Sequence, residues 1–397
     1  MPGFELFGEQ EKAEVQDVLD NGVLMRYGFD GMRNGHWKAQ KLENALAKRM
    51  QTNYAQLVSS GTSALTVALL SAGIGAGDEV IMPTFTFVAS FESILAIGAI
   101  PILVDIDDTL TLAPKAVEKA ITPKTKVVMP VHMCGSMADL SALKAICEAH
   151  DLLLLEDACQ AIGGSYEGKP LGSFGDLGCF SFDYVKTITC GEGGGIITNN
   201  KVFYKNADHY SDHGHDHIGN DRGAETHPFL GYNFRISELN AAVGCAQIER
   251  LDEFLAIQEK NYTLLRQALN EIPEVTFRKV PDGGVENYSF LNFFLPTEKI
   301  TRNVHKALGK AGVDACFYWF DNNWHYYRKW EHLKENKSLG KLAKDVLEGL
   351  PDYTKADFTA SDHWMGRTIS CLVKLSWTEQ EVKNRAAIIK KVILEVV

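Results

Sequence analysis

The sequence predicts an α/β protein that has a large domain with a mostly parallel central sheet and a smaller C-terminal α+β domain. First, short apolar runs alternate with helix-length segments between residues 79 and 198, a pattern typical of a parallel sheet covered by helices on both faces. Second, a long helical pattern begins near residue 238 and precedes further strands and helices. We therefore predict a large domain over residues 1–250 and a smaller domain over 251–397.

The strands of the large domain are predicted from short apolar segments bounded by glycine, proline or polar residues. They cover residues 79–82, 102–105, 126–131, 152–156, 178–182 and 195–198. After one helical pattern over 238–270, the smaller domain is predicted to have strands near 275–278 and 289–296 and a helix over 302–311. Ligands of parallel sheets bind beyond the carboxyl ends of the strands, so those ends are where functional residues are sought.

Composition and charge argue against several classes of function. The formal net charge of −11 disfavours nucleic-acid binding, which usually needs a basic surface. No apolar stretch reaches membrane-spanning length, and the N-terminal residues lack a signal-peptide pattern. The 8 cysteines are scattered, without a Cys-x-x-Cys pair, as is typical of free thiols in a reducing compartment. We expect a cytoplasmic protein with neither nucleic acid nor membrane as a partner.

A lysine and an aspartate each follow a predicted buried strand. Asp157 comes directly after residues 152–156, and Lys186 lies a few residues beyond 178–182, ahead of a glycine cluster. These are the two groups that pyridoxal 5'-phosphate (PLP) needs. A lysine amine forms a Schiff base with its aldehyde, and an acid keeps its ring nitrogen protonated. The pair therefore predicts a PLP site.

A further segment suits the phosphate of such a cofactor. Gly61, Thr62 and Ser63 precede an apolar helical run over 64–70. A glycine permits a tight turn, and N–H groups and hydroxyls at a helix N-terminus attract phosphate. Small hydroxyl residues cap most helices, so the segment indicates a phosphate site mainly because Lys186 and Asp157 are also present.

Seven short motifs occur in a specific order along nearly the whole chain. They are SGTS at 60–63, GDEVI at 77–81, PTFTF at 83–87, EDACQ at 156–160, SF at 181–182 leading to Lys186, GEGG at 191–194 and GYNFR at 231–235. Together they resemble the DegT/DnrJ/EryC1/StrS sugar aminotransferases, a family of fold type I PLP enzymes. The resemblance implies a transaminase that uses an amino-acid donor and a sugar acceptor, and a homodimer with shared active sites.

The resemblance also implies a role for each matched residue at the cofactor. Lys186 would hold PLP and later transfer a proton as base and acid. Asp157 would pair with the ring nitrogen, and Gln160 would bind the ring hydroxyl. Phe87 would stack on the ring, although a phenylalanine after a buried strand is often a core residue.

The phosphate has its own set of implied ligands. Thr62 and Ser63, after Gly61, would bind it together with the hydroxyl of Ser181. Asn233 would reach it from the neighbouring subunit, although an asparagine at this position also suits a turn.

Three further segments resemble one subgroup of this family, the 8-amino-3,8-dideoxy-D-manno-octulosonate aminotransferases. They cover residues 132–137, 211–223 and 316–326. Enzymes of this type use L-glutamate to aminate C8 of the 8-oxo derivative of 3-deoxy-D-manno-octulosonate, a lipopolysaccharide sugar. The resemblance implies this acceptor, and a nucleotide-linked 4-keto-6-deoxyhexose is the alternative.

Two other functions are weaker alternatives. PLP-dependent sugar dehydratases of this family carry histidine where this chain has Lys186. A regulatory role on DNA is disfavoured by the acidic charge.

Candidate substrate residues come from these same segments and from the GYNFR motif. They are His215, Arg235, Asn323, Trp324 and His325. Arg235 equally suits the cofactor phosphate or a structural ion pair, and the aromatic residues near 319–326 equally suit a seam between domains. Arginine binds carboxylates bidentately, and four others are candidates for a sugar acid: Arg26, Arg33, Arg222 and Arg328.

The histidines of residues 213–217 also allow a metal site. His213, His215 and His217 alternate, so a strand would place them on one face. Gly214 and Gly219 interrupt a strand pattern. We therefore expect a polar loop beside the sugar pocket and no metal.

Overall fold

The computed structural model describes residues 2–219 and 221–397. Its helices are α1 (Glu9–Asn21), α2 (Asp30–Arg33), α3 (Lys38–Arg49), α4 (Gly61–Ser71), α5 (Val88–Ala96), α6 (Pro114–Ala120), α7 (Leu140–His150), α8 (Lys201–Ser211), α9 (Glu238–Glu249), α10 (Leu251–Leu269), α11 (Glu298–Lys310), α12 (Glu331–Lys334), α13 (Lys344–Gly349), α14 (Thr359–Met365) and α15 (Glu379–Val396). Its strands are β1 (Tyr54–Val58), β2 (Glu79–Pro83), β3 (Ile100–Val104), β4 (Thr125–Val128), β5 (Leu153–Asp157), β6 (Ser165–Tyr166), β7 (Lys169–Pro170), β8 (Leu177–Ser181), β9 (Gly194–Thr198), β10 (Thr276–Phe277), β11 (Gly284–Val285), β12 (Phe290–Phe294), β13 (Cys316–Phe317) and β14 (Thr368–Leu372).

The central sheet has the order β1-β9-β8-β5-β4-β2-β3. Its pairings from β8 through β5, β4 and β2 to β3 are all parallel, and β9 runs antiparallel to both β8 and β1. The predicted mostly parallel sheet is therefore confirmed, and each predicted strand of this region overlaps an observed one. The carboxyl ends of β5 and β8 lie side by side, because Asp157 is paired with Cys179 across these strands.

Two details of the sheet differ from the prediction. The strand predicted at 126–131 ends at Val128, because Pro130 has no N–H group for continued pairing. Strand β1 is not predicted from the sequence. It carries a polar residue, Gln56, which is buried and donates from its side-chain amide to the hydroxyls of Tyr27 and Ser211.

A second, antiparallel sheet has the order β10-β12-β14-β13. It packs on an apolar core with α10, α11 and α15, as expected for a smaller α+β unit. The helical pattern predicted over 238–270 is two helices, which meet at Arg250. Arg250 directly follows the last residue of α9. Its guanidinium donates to the carbonyl oxygen of Leu6 and to the Glu11 carboxylate, and these bonds anchor the N-terminal segment.

The large core extends across the predicted domain boundary. Tyr326, Tyr327 and Trp330 pack with residues of α4, α5 and the central sheet. The backbone of this segment also binds the loop after β2, since Thr86 N–H donates to His325 O and Val88 N–H to Trp324 O. We keep the boundary near residue 250 as a proposal, with the segment around 318–333 folded back onto the large domain.

Across the described residues, no helix is long and apolar enough to cross a bilayer.

Candidate active site

A cavity of about 820 Å³ lies beyond the carboxyl ends of the central strands. Asp157 ends β5 and Ser181 ends β8, while Gly61 begins the helix that follows β1. Lys186 lies on the loop after β8. All four residues line the cavity. The sheet topology therefore brings the predicted cofactor residues together, as parallel strands are expected to do.

Asp157 is only 4% exposed and is held by neutral donors. The hydroxyl of Ser90 donates to its Oδ2 at 2.8 Å, and the N–H of Cys159 donates to Oδ1 at 3.2 Å. Ser90 is in turn fixed by Thr86, 2.6 Å away. A buried carboxylate with such donors is oriented but not charge-compensated, so it attracts a cationic group in the cavity.

A second buried acid supports this strand end from behind. Glu156 is fully buried and accepts the backbone N–H groups of Gly172, Phe174 and Gly175. Its Oε2 also lies 2.8 Å from Nε2 of His132. The backbone N–H of His132 donates to the carbonyl oxygen of Asp157. This network fixes the loop beyond β5. Sequence reasoning missed Ser90, Thr86 and His132 because no local pattern relates them to Asp157.

Lys186 is held in place through its backbone. Its N–H donates to Asp183 O at 3.0 Å, and its carbonyl accepts the N–H of Gly3 at 2.9 Å. The neighbouring Tyr184 stacks on Phe4 with ring centroids 4.1 Å apart. The N-terminal segment thus covers the lysine loop, and it contributes Pro2, Phe4 and Glu5 to the cavity wall. The sequence showed no signal for this wall.

The start of α4 forms a narrow cradle beside β8. A Cβ atom on Gly61 would lie 2.7 Å from Cβ of Ser181 and 3.2 Å from Sγ of Cys159, so only glycine fits there. Ser60 caps the helix and accepts the N–H of Ser63, whose hydroxyl lies 2.6 Å from that of Ser60. Ser63 is therefore used by the cap and does not line the cavity, whereas the exposed Thr62 does.

Gln160 and Phe87 both line the cavity. Oε1 of Gln160 accepts the N–H of Cys134 at 2.9 Å, which leaves its NH₂ group to donate. Phe87 precedes α5, and its ring centroid lies 5.7 Å from that of Trp324 and 5.4 Å from that of His325. Phe87 is thus a residue of the cavity wall that contacts the side chains of Trp324 and His325, rather than a core residue.

His325 is a neutral imidazole at the cavity wall. Burial, and then the positive charge of Lys186, lower the pKa of His325 to about 3. Its Nδ1–H donates to Oδ1 of Asn322 at 3.0 Å, an atom that also accepts the N–H of Trp324. Nε2 of His325 is therefore the unprotonated nitrogen, which can accept a hydrogen bond. Asn323 and Trp324 also line the cavity.

Three predicted residues lie outside this cavity, around the buried carboxylate of Asp212. Arg235 forms an ion pair with Asp212, and Asn233 is exposed beside it in an isolated β-bridge. His215 lies 2.7 Å from the Glu225 carboxylate. Within one chain these residues do not meet the others.

The arginines proposed for a carboxylate also have acidic partners. The pairs are Arg26–Glu43, Arg33–Glu238, Arg222–Asp212 and Arg328–Asp362. None of the four lines the cavity, where the cationic side chains of the described chain are Lys186 and Lys374. The expectation of an arginine in the pocket is therefore not met within the chain, because each guanidinium is used by a local carboxylate.

Two histidines of the 213–217 loop lie beside carboxylates, His215 beside Glu225 and His217 beside Asp208 and Asp212. Although burial opposes protonation, the hydrogen bonds that His217 donates to Asp208 and Asp212 raise its pKa to about 9. Over the described residues, no group of three or more histidine, cysteine or acidic side chains has the geometry of a metal site.

The cavity fits PLP in shape and in donor set. The glycine cradle leaves room for a phosphate beside free N–H groups at the start of α4. The uncompensated Asp157 suits a pyridinium nitrogen, and the Lys186 amine shares the same space. When bound, PLP supplies an electron sink for the carbanion that forms when a donor amino acid loses its Cα proton.

Comparison with known proteins gives the same class. The model of the DegT/DnrJ/EryC1/StrS aminotransferase family matches residues 6–348. A GDP-perosamine synthase of Escherichia coli O157:H7 is 39% identical over 267 residues, which are 67% of this chain and 70% of that protein.

Solved structures agree on the fold. 3-Amino-5-hydroxybenzoic acid synthase matches with a TM-score of 0.81 and 28% identity, over 98% of this chain and 97% of its own. NtdA of Bacillus subtilis, with bound cofactor PMP, has a TM-score of 0.80 and 23% identity, over 99% of this chain and 83% of its own.

The fold and the site define a fold type I PLP-dependent aminotransferase. More specifically, the chain belongs to the DegT/DnrJ/EryC1/StrS family and is a PLP-dependent sugar aminotransferase. The predicted fold class, enzyme class and cofactor are confirmed.

Proposed function

We propose that this enzyme transfers an amino group from L-glutamate to C8 of 8-oxo-3-deoxy-D-manno-octulosonate, giving 8-amino-3,8-dideoxy-D-manno-octulosonate for lipopolysaccharide biosynthesis. The observation that carries the proposal is where the subgroup-specific segments lie. Segment 132–137 contributes Met133 to the cavity, and segment 316–326 contributes Phe317, Trp319 and residues 322–325. Two of the three segments that resemble this subgroup therefore line the space in which an acceptor would bind, whereas segment 211–223 contributes no residue to it.

The few cations of the cavity wall favour a small acidic acceptor over a nucleoside diphosphate, although Glu5, Asp157, Asp183 and Glu192 also line the cavity. Beyond Lys186, the cation in the described cavity wall is Lys374, which also binds the Asp314 carboxylate at 2.8 Å. One lysine suits one carboxylate, whereas a nucleoside diphosphate usually meets several arginine or lysine side chains. In this proposal the acceptor carboxylate points towards Lys374, and its aldehyde carbon C8 faces Lys186.

The chemical roles follow from the positions of the side chains. Nζ of Lys186 removes the Cα proton of glutamate and later delivers a proton to C8 of the acceptor. Asp157 holds a proton on the ring nitrogen, and the NH₂ group of Gln160 donates to the ring hydroxyl. Phe87 covers one face of the ring.

The phosphate is proposed to lie at the start of α4. Gly61 and Thr62 offer N–H groups that the Ser60 cap does not use, and the hydroxyl of Ser181 faces the same cradle. Ser63 acts by fixing the cap through its bonds to Ser60, so its contribution to phosphate binding is indirect.

The remaining predicted residues are proposed to act across a homodimer. The loop around Asn233 exposes large apolar side chains, since Ile218 is 73% exposed, Leu230 89% and Tyr232 61%. Exposed apolar side chains of this size are typical of an interface between subunits. We propose that the partner's Asn233 binds the cofactor phosphate, and that His215 and Arg235 face the partner's sugar pocket. Asn323, Trp324 and His325 contact the acceptor from within the same chain.

A mixing experiment tests the shared site. Lys186→Ala and Asn233→Ala homodimers are both expected to lose nearly all activity. Random exchange of their subunits gives heterodimers in which one of the two sites is intact, so about a quarter of the native activity should return. No recovery after verified subunit exchange would place Asn233 in the same-chain site or away from the cofactor.

Acceptor turnover tests the substrate. The purified holoenzyme is given glutamate with the 8-oxo sugar acid or with GDP-4-keto-6-deoxymannose, and amine formation is followed by mass spectrometry. We expect kcat/KM for the sugar acid to be higher by about 100-fold or more, because each well-placed polar contact contributes a factor of about 10 to 100. Equal or reversed values would refute the proposed acceptor.

A nucleotide-linked 4-keto-6-deoxyhexose is the second candidate. It is favoured by the 39% identity to a protein named GDP-perosamine synthase. The same cofactor residues would serve either acceptor, so the comparison of the two turnover rates separates them. We also propose a cytoplasmic location, which suits the scattered thiols of the chain.

A further inference from the structure

Two cysteines face each other in the small sheet, next to the cavity. Cys316 of β13 and Cys371 of β14 are register partners, and their sulfur atoms are 2.7 Å apart. The N–H of Leu372 donates to Ala315 O at 2.9 Å, so the cysteines occupy a non-hydrogen-bonded position of the antiparallel pair. Cα atoms lie about 4.5 Å apart at such positions, within the range that a disulfide spans.

An arginine with unused donors lies beside this pair. Arg385 of α15 binds Asp314 through Nη1 at 2.6 Å, and its side chain is 12% exposed. Its Nε and Nη2 are buried without a hydrogen-bond partner, which is costly unless an anion is present for them. A thiolate on Cys316 would supply that anion. The two free donors of Arg385 would therefore stabilise a negatively charged sulfur on Cys316.

The two thiols have opposite properties. A hydrogen bond from Cys371 lowers the pKa of Cys316, burial opposes this, and the Arg385 charge lowers the pKa further. The same hydrogen bond and burial raise the pKa of Cys371. Cys316 is partly exposed and Cys371 is buried. The other six cysteines all lie within the described residues. Burial raises the pKa of each of these thiols.

We propose that Cys316 and Cys371 form a thiol–disulfide exchange site for low-molecular-weight disulfides such as oxidised glutathione. The Cys316 thiolate attacks one sulfur of the disulfide, which releases one glutathione thiolate. The Cys371 thiol then attacks the Cys316 sulfur of the mixed disulfide and passes its proton to the departing glutathione sulfur, so that the second glutathione leaves as a thiol. The protein dithiol is oxidised by two electrons to a disulfide, and one oxidised glutathione is reduced to two thiols.

The exchange site is joined to the substrate cavity. Asp314, which binds Arg385, also accepts from Lys374 at 2.8 Å, and Lys374 lines the cavity with Phe317 and Leu372. A disulfide between Cys316 and Cys371 would therefore link β13 to β14 directly behind the part of the cavity wall that contains Phe317 and Leu372. Loss of the thiolate removes the anion beside Arg385 and changes the charge around Asp314 and Lys374.

The test uses the reduced holoenzyme and oxidised glutathione at neutral pH. We expect loss of two thiols, no retained glutathione, and a peptide crosslink between Cys316 and Cys371 that dithiothreitol reverses. Cys316→Ser, at a partly exposed position, should abolish the crosslink, whereas the matched control Cys147→Ser should keep it. Arg385→Gln should slow the loss of thiols several-fold, because less Cys316 is ionised.

Three results would overturn the proposal. They are an unchanged thiol count, glutathione that stays attached to Cys316 while Cys371 remains free, and a full rate of thiol loss in Cys316→Ser.

Discussion

Two buried aspartates organise this molecule in opposite ways. Asp157, at the end of β5, accepts from a serine hydroxyl and a backbone N–H, which are neutral donors. Asp212, in the loop after α8, is bound by Arg222, Arg235 and His217. The first carboxylate keeps its charge for a ligand, while the second has its charge balanced by the protein. A buried acid is a candidate functional group when its own surroundings leave it uncompensated.

The same contrast separates the two sets of predicted residues. Those that line the cavity with Asp157 have free donors or amines, as Lys186 and Gln160 do. Of those around Asp212, Arg235 is held in an ion pair within the chain and His215 lies beside the Glu225 carboxylate. Within one chain, Arg235 and His215 therefore do not reach the cavity, and we propose that they face the cavity of the partner subunit.

The largest expected effect comes from removing the amine that faces Asp157. Lys186→Ala should lower kcat by about 10³–10⁴-fold, because proton transfer loses its base and acid. Steady-state turnover of glutamate and acceptor measures this loss. A variant with native turnover would show that another group moves the proton.

The next largest effect tests Asp157 itself. Asp157→Asn keeps the size of the side chain but removes its charge, so kcat should fall by about 100-fold. The free energy of unfolding should change by about 1 kcal/mol or less, because the amide oxygen can still accept the N–H of Cys159 and the Ser90 hydroxyl can turn to accept from the amide NH₂. A large loss of stability with native kcat would assign Asp157 a structural role.

Asp212→Asn should show the reverse pattern. Removing the carboxylate leaves two arginines and a histidine without their common partner, and we expect a loss of about 2–3 kcal/mol in unfolding free energy. Urea denaturation followed by fluorescence measures it, with Asp221→Asn, an exposed neighbour in the same loop, as control. A stability equal to that of the control would mean that Asp212 does not organise this loop.

The smallest expected effect is a pH dependence at the Asp212 cluster. The folded pKa of His217, about 9, lies above its ordinary value of about 6.5. Its stabilising contribution is therefore complete below about pH 6.5 and is lost as the pH rises through 9, by about 1–2 kcal/mol. His217→Gln should flatten the unfolding free energy between these pH values, and an unchanged slope would exclude His217 as its source.

The sequence predicts the Asp157 side of this comparison well and the Asp212 side poorly. Strand ends and motifs locate Lys186, Asp157 and Gly61 because β-strands and tight turns have strong local patterns. The contacts of Arg235 and His215 with carboxylates depend on side chains that a loop brings together, which no local pattern encodes. The cap function of Ser63 is equally hidden, since capping and phosphate binding use the same residue types.

Long-range contacts account for the other differences. Strand β1 carries a buried Gln56 whose partners are remote in sequence, so its pattern is not that of a buried strand. The second cation of the cavity, Lys374, lies just past β14 and belongs to no motif. The N-terminal wall arises because Gly3 binds the carbonyl of Lys186, a contact between residues far apart in the sequence.

That contact has a practical consequence for preparing the protein. Pro2 and Gly3 are buried, and Pro2, Phe4 and Glu5 form part of the cavity wall. An affinity tag fused ahead of them would place extra chain at the mouth of the active site and disturb the loop of Lys186. Val397 is 43% exposed at the end of α15. A C-terminal tag is therefore the better choice for kinetic work.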